Sequence, residues 1–109
     1  MKFTPLSIPD VILIEPKVFR DDRGLFFESW RKEVFQQAGI SAEFVQENQS
    51  KSVRNVLRGL HYQIQQPQGK LIRVLSGEIL DIAVDLRRSS EFFGKWVSVV
   101  LNSADAKSL

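Results

Sequence analysis

With 109 residues, 43% of them apolar and 26% charged, the chain is long enough for one domain with a real core and has the make-up of an ordinary globular protein. Fifteen Lys and Arg stand against thirteen Asp and Glu with the signs interspersed, so the net charge of +2 marks no basic tract for a nucleic acid. The lack of cysteine excludes disulfides, thiolate chemistry and Cys-built zinc sites, and a single histidine excludes a His-rich metal centre within one chain.

The first residues, Met1-Lys2-Phe3-Thr4-Pro5, carry no apolar signal-peptide core. No window approaches the roughly 18 apolar residues of a membrane span, so the expected compartment is the cytoplasm. Residues 1–10, with Pro5 and Pro9, read as an extended lead-in. Residues 11–14 form a short apolar run stopped by Glu15-Pro16, a strand that Val18-Phe19 can extend. Residues 20–24 read as a turn, with Asp and Gly where a positive φ is needed, and residues 25–30 as a second strand. Trp30, Val34, Phe35 and Ala38 follow helical spacing, Ser29 precedes them as a cap and Gly39 follows as a C-terminal glycine. The pattern predicts one short helix near residues 30–38.

From Ala42 onward the composition favours strands. They are expected within residues 43–50, around Phe44-Val45, and over residues 55–64, 70–75, 78–86 and 95–101. Ser76-Gly77 reads as the tight turn of a hairpin between the third and fourth of these. Residues 65–69 and 87–94 are loops, and the tail 102–109 has no clear structure. Residues 1–109 thus read as a single, mainly β domain of the sandwich or barrel kind.

Chemistry concentrates around His61, the only residue here of the type whose unperturbed pKa lies near neutrality. It is either a general base or a core histidine whose ring nitrogens meet backbone groups. Gly59, two residues earlier, leaves room beside the imidazole for a ligand. Lys70 is either a solvated strand end or an electrophile facing a pocket. Asp81, in the apolar run 79–84, is either a buried carboxylate in need of a partner, from Lys70 or His61, or a solvated residue on a one-sided sheet. Strict alternation puts Arg58 on the face opposite His61, unless Gly59 marks a bulge that re-aims one of them. Arg23 and Glu28 flank the aromatic pair Phe26-Phe27, and Gln46, Glu47 and Asn48 form a polar edge able to bind a sugar or simply water. No glycine-rich phosphate loop is present.

Taken together, the segments Phe19-Arg20-Asp21-Asp22-Arg23-Gly24, Phe44-Val45-Gln46-Glu47-Asn48-Gln49-Ser50, Arg58-Gly59-Leu60-His61-Tyr62-Gln63, Gln68-Gly69-Lys70-Leu71 and Phe93-Gly94-Lys95-Trp96 resemble the dTDP-4-dehydrorhamnose 3,5-epimerase family. The resemblance runs along nearly the whole chain. It implies a cupin-like (jelly-roll, double-stranded β-helix) barrel, here apparently truncated. It implies a dTDP-4-dehydro-6-deoxy sugar as substrate, a homodimer, no cofactor or metal, and no nucleic acid or membrane. His61 matches the proton-abstracting base and Lys70 the lysine that stabilises an enolate at C4. Arg58, Gln46, Glu47 and Asn48 match substrate contacts. Arg23 and Glu28 match residues that reach the neighbouring subunit's site, and Asp81 a buried acidic position behind the site.

The family pattern also contains a proton-donating tyrosine and an aspartate that orients the base, both in sequence beyond the matched part. Tyr62, the only tyrosine here, stands beside the base and is not that acid. Two functions follow: a 3,5-epimerase, or a catalytically incomplete nucleotide-sugar-binding or assembly module derived from one.

Overall fold

Turn-forming residues near the N-terminus fold each short apolar run back on the one before it. The computed structural model describes all residues, Met1–Leu109. β1 (Lys2–Pro5) pairs antiparallel with β2 (Ile12–Glu15), Phe3 opposite Ile14. β3 (Val18–Asp21) pairs with β4 (Gly24–Phe27) around a two-residue turn. The Asp21 carboxylate shapes that turn by accepting the Arg23 backbone N–H at 2.9 Å, and Gly24 supplies a φ of +131°. The run expected as one extended strand is therefore two, broken at Pro16, which has no N–H to give a ladder.

One helix follows, α1 (Lys32–Gln37). It begins later than expected, and Ser29 does not cap it. Arg31 occupies the cap position in extended conformation without a side-chain bond, while Glu33 places a negative charge in the first turn. Gly39 does follow the helix with a φ of +84°, as its position predicts. Phe35 is the buried residue of α1, its ring 5.3 Å from Phe3 and 6.4 Å from Phe44, centroid to centroid, both edge-on.

The third ribbon joins β5 (Glu78–Val84) to β6 (Trp96–Asn102), from Glu78 opposite Asn102 to Val84 opposite Trp96. Its inner face carries Ile79, Asp81 and Ala83 across from Leu101, Val99 and Val97, of which Val97 and Leu101 are buried. The connection between the strands is locked by Asp85. Its buried carboxylate accepts Arg87 Nε at 3.0 Å, Arg87 Nη2 at 2.7 Å and Ser90 Oγ at 2.7 Å, and Arg87 also pairs with Asp10. Arg87 and Ser90 together hold the Asp85 carboxyl well below the usual carboxylate range.

The tail is ordered after all. Asn102 Oδ1 accepts the N–H groups of Ala104 and Asp105 and turns the chain back. Ser108, buried, then lies antiparallel between Ile14 and Arg73, with backbone bonds of 2.8 and 3.0 Å to Ile14. Leu109 and Ile72 exchange two more, at 3.0 and 2.8 Å.

Three expected strands do not form. Residues 43–50 and 55–64 contain no strand, and residues 70–75 only the bridge at Arg73. Ser76-Gly77 closes no hairpin, because β5 takes β6 as its partner. No residue from Ser41 to Leu71 makes a backbone–backbone hydrogen bond, and every residue from Val45 to Lys70 is exposed. The chain makes 34 such bonds, against roughly 70 for a fully paired domain of this size. A strand, unlike a helix, holds no bonds of its own, so β propensity without a neighbour yields an extended, water-bonded chain. The fold is mainly β with one short helix, as expected, but its three two-stranded ribbons do not close a barrel within these residues. No helix is long and apolar enough to cross a membrane.

Candidate active site

His61 lies in the extended, exposed part of the chain, so it is not a core histidine. The backbone beside it is set by Gly59, whose φ of +119° is one that L side chains rarely adopt. A Cβ built on Gly59 would sit 3.5 Å from His61 Cδ2 and 3.8 Å from Nε2. The alternation that separated Arg58 from His61 does not apply here, because no strand forms and Gly59 adopts a φ of +119°. Arg58 Nε donates to Ser52 Oγ at 3.0 Å.

Lys70 is exposed, and its Nζ donates to Gln68 Oε1 at 2.6 Å. The acceptor is a neutral amide, so the ammonium charge is held in place without being cancelled. Gln46 Nε2 donates to Asn48 Oδ1 at 3.2 Å, which gives the polar edge a fixed local arrangement. Glu47, between them, is exposed.

Arg23 and Glu28 stand on and after the β3–β4 hairpin. Arg23 grips Asp21 through Nη2 at 2.6 Å, and that hydrogen bond lowers the Asp21 carboxyl and raises the Arg23 guanidinium. Glu28 pairs with Arg31 at 3.2 Å. The hairpin presents an open depression of about 480 Å³ between Arg23, Phe19 and Phe26, and the Phe26 ring is 72% exposed.

Asp81 falls on the buried side of its two alternatives. It projects from the inner face of β5, and its Oδ2 is buried without a hydrogen-bond partner. Burial raises its carboxyl, against a smaller lowering from the Ile82 backbone N–H. Neither Lys70 nor His61 supplies the partner that the sequence suggested.

Apart from the Gln46–Asn48 pair, direct bonds therefore do not bring the candidates together. Arg58, Lys70, Gln46, Arg23 and Glu28 each find a partner within six residues of themselves, and no hydrogen bond or ion pair links His61, Lys70, Arg58 and Asp81 to one another. Sequence reading missed Gln68 and Ser52, the groups that hold Lys70 and Arg58. The one available signal was a neutral acceptor two residues before a lysine. Chemically, the segment offers an imidazole with one open edge and a lysine whose charge is uncompensated. These are the elements of proton abstraction beside a carbonyl.

The sequence profile of the dTDP-4-dehydrorhamnose 3,5-epimerase family matches residues 5–109. The chain is 56% identical over its full length to a dTDP-4-dehydrorhamnose 3,5-epimerase of Pseudomonas aeruginosa and 52% identical to one of Shigella flexneri, covering 61% of each. It thus spans about three fifths of these curated relatives. Among solved structures it is similar to a dTDP-6-deoxy-D-glucose-3,5-epimerase of Legionella pneumophila in complex with dTDP-4-keto-L-rhamnose. That TM-score is 0.94 at 45% identity, covering 98% of this chain and 57% of the other. The dTDP-4-dehydrorhamnose 3,5-epimerase of Bacillus anthracis, with TDP and pyrophosphate bound, gives a TM-score of 0.93 at 38% identity over 98% of this chain and 62% of its own.

Proposed function

The chain belongs to the dTDP-4-dehydrorhamnose 3,5-epimerase family, whose mainly β, cupin-like fold it shares, and from that premise we propose that it serves the epimerisation of a dTDP-linked 4-dehydro-6-deoxy sugar in the cytoplasm. The observation that carries this reading is the unbroken family match over residues 5–109, which includes His61 and Lys70. The protons on C3 and C5 are acidic because both carbons flank the C4 ketone. His61, as neutral imidazole, takes such a proton. Lys70 stabilises the negative charge that develops on the C4 oxygen, and the neutral amide of Gln68 leaves its charge available for this. Delivery of a solvent proton to the opposite face inverts the carbon, and the His61 imidazolium returns the abstracted proton to solvent.

Arg58 and the edge formed by Gln46, Glu47 and Asn48 bind the nucleotide sugar. In a homodimer, the exposed β3–β4 hairpin carries Arg23 and Glu28 towards the second subunit's site, and the exposure of Phe26 on that hairpin supports the assignment. Asp81 acts from behind the site as a buried carboxylate.

One observation favours the second reading, a module that binds the nucleotide sugar without turning it over: no carboxylate is bonded to His61. Incubation with the dTDP-4-dehydro sugar in deuterated water separates the two. Deuterium at C3 or C5 that disappears in His61→Ala supports the epimerase, with a loss of 100-fold or more, on the order expected when a general base is removed. Saturable binding with no exchange establishes the module instead.

A further inference from the structure

Four glycines, Gly24, Gly39, Gly77 and Gly94, adopt a positive φ with no atom within 4 Å of where a Cβ would stand. Backbone conformation alone accounts for them. Gly59 shares the positive φ but differs in its surroundings. The three nearest atoms to its missing Cβ, at 3.5, 3.6 and 3.8 Å, all belong to His61: Cδ2, the backbone N and Nε2. In a segment where every side chain faces water, no crowding from the rest of the molecule demands a glycine here. What a side chain at 59 would meet first is His61, at its imidazole edge and its backbone N.

We propose that Gly59 is a positioning residue for His61, keeping the Cδ2–Nε2 edge of the ring clear so that a substrate C–H can reach the nitrogen. This rests on the reading of His61 as the base. A methyl group at 59 would lie in van der Waals contact with the ring edge and narrow the access to Nε2. It would also push the backbone away from its φ of +119° and carry the imidazole with it. Both effects misplace the base without touching its chemistry.

His61 is the only histidine, so its ring gives a single set of NMR signals and a single site for ethoxycarbonylation by diethyl pyrocarbonate. Gly59→Ala is compared with Gly77→Ala, which carries a similar backbone penalty at φ +83° with nothing beside it. Gly59→Val enlarges the obstruction. The expected result is that ethoxycarbonylation of His61 slows severalfold in Gly59→Ala, slows further in Gly59→Val, and keeps its wild-type rate in Gly77→Ala, with the Cδ2–H signal shifting only in the two Gly59 variants. Equal rates and unshifted signals in all the variants overturn the proposal. Solvent exchange into the sugar, where the wild type supports it, falls about 100-fold in Gly59→Ala through misplacement of the reacting atoms. If His61→Ala retains exchange, the reading of His61 as the base fails, while the ring-access measurement still decides whether Gly59 governs the imidazole.

Discussion

Two regions of this chain divide the work of being a protein. The frame, residues 1–40 and 72–109, holds all the backbone–backbone hydrogen bonds and every buried residue. The segment between them, residues 41–71, holds no backbone–backbone bond, yet it carries His61, Lys70, Arg58, Gln46, Glu47 and Asn48. In the frame, apolar side chains are spent on packing: Phe35 is 2% exposed and Leu101 0%. In the segment, equally apolar residues face water, Val45 at 90% and Leu57 at 87%. Composition is therefore not what distinguishes the regions. What differs is whether a neighbouring strand is there to receive the side chains, and for the segment none is. Exposed apolar residues at this density are those a second surface covers.

The contrast is broken most directly at Phe35. Phe35→Ala removes the ring on which Phe3, Trp30 and Phe44 converge, and the expected cost is about 3–5 kcal/mol. That is a large share of a small domain's stability, of order 5–15 kcal/mol. Urea unfolding of wild type and variant measures it, and a loss below about 1 kcal/mol would mean that the frame lacks the core described.

Asp85→Asn is the next largest, between Phe35→Ala and a surface change, because it strips the charge from a buried group bonded to Arg87 and Ser90. Its pH dependence has a definite sign. The folded carboxyl is held below its unfolded value, so the stabilisation is full above the unfolded Asp pKa of about 3.9 and drains away as the pH falls towards the lower folded value. Thermal melts between neutral and acid pH should show the wild type losing its lead over the variant along that limb. A gap that stays constant into strong acid rules out Asp85 as the lock of the β5–β6 connection.

The smallest effect belongs to the segment. Leu57→Ala, at a site 87% exposed, is expected to move stability by no more than about 0.5 kcal/mol. A cost approaching that of Phe35→Ala would show the segment packed in solution and erase the distinction between the regions.

The local features of the frame and the candidate residues of the segment were legible in the sequence for different reasons. The β3–β4 turn was legible because Asp21 to Gly24 is turn chemistry that acts within four residues. The helix was legible from Val34, Phe35, Ala38 and the glycine after it. Its cap was not, since Ser29 and Arg31 compete for a position that only backbone geometry decides. The strand character of residues 78–84 and 96–102 was visible, but their pairing was misread. Ser76-Gly77 signals a local hairpin, whereas the seven-pair register with β6 is fixed by Asp85 and its loop. His61 and Lys70 announced themselves by residue type, and the family motifs around them are specific. Their immediate surroundings, Gly59 against the ring and Gln68 on the ammonium, depend on distances that no spacing rule contains.

The pairing of Ser108 with Ile14 has one more consequence. At one end, the site-bearing segment is joined through Phe44 and Phe35 to Phe3 on β1. At the other, Ile72 is bonded to Leu109, whose neighbour Ser108 is bonded to Ile14 on β2. Both feet of the segment thus rest on the same ribbon, and the segment is a handle whose ends are held together by the frame. The entropy of closing such a loop grows only logarithmically with its length, so that doubling it costs about 0.6 kcal/mol. Insertions and deletions between the feet are cheap for the fold, and the length of the handle can change while the ribbon that grips it stays as it is.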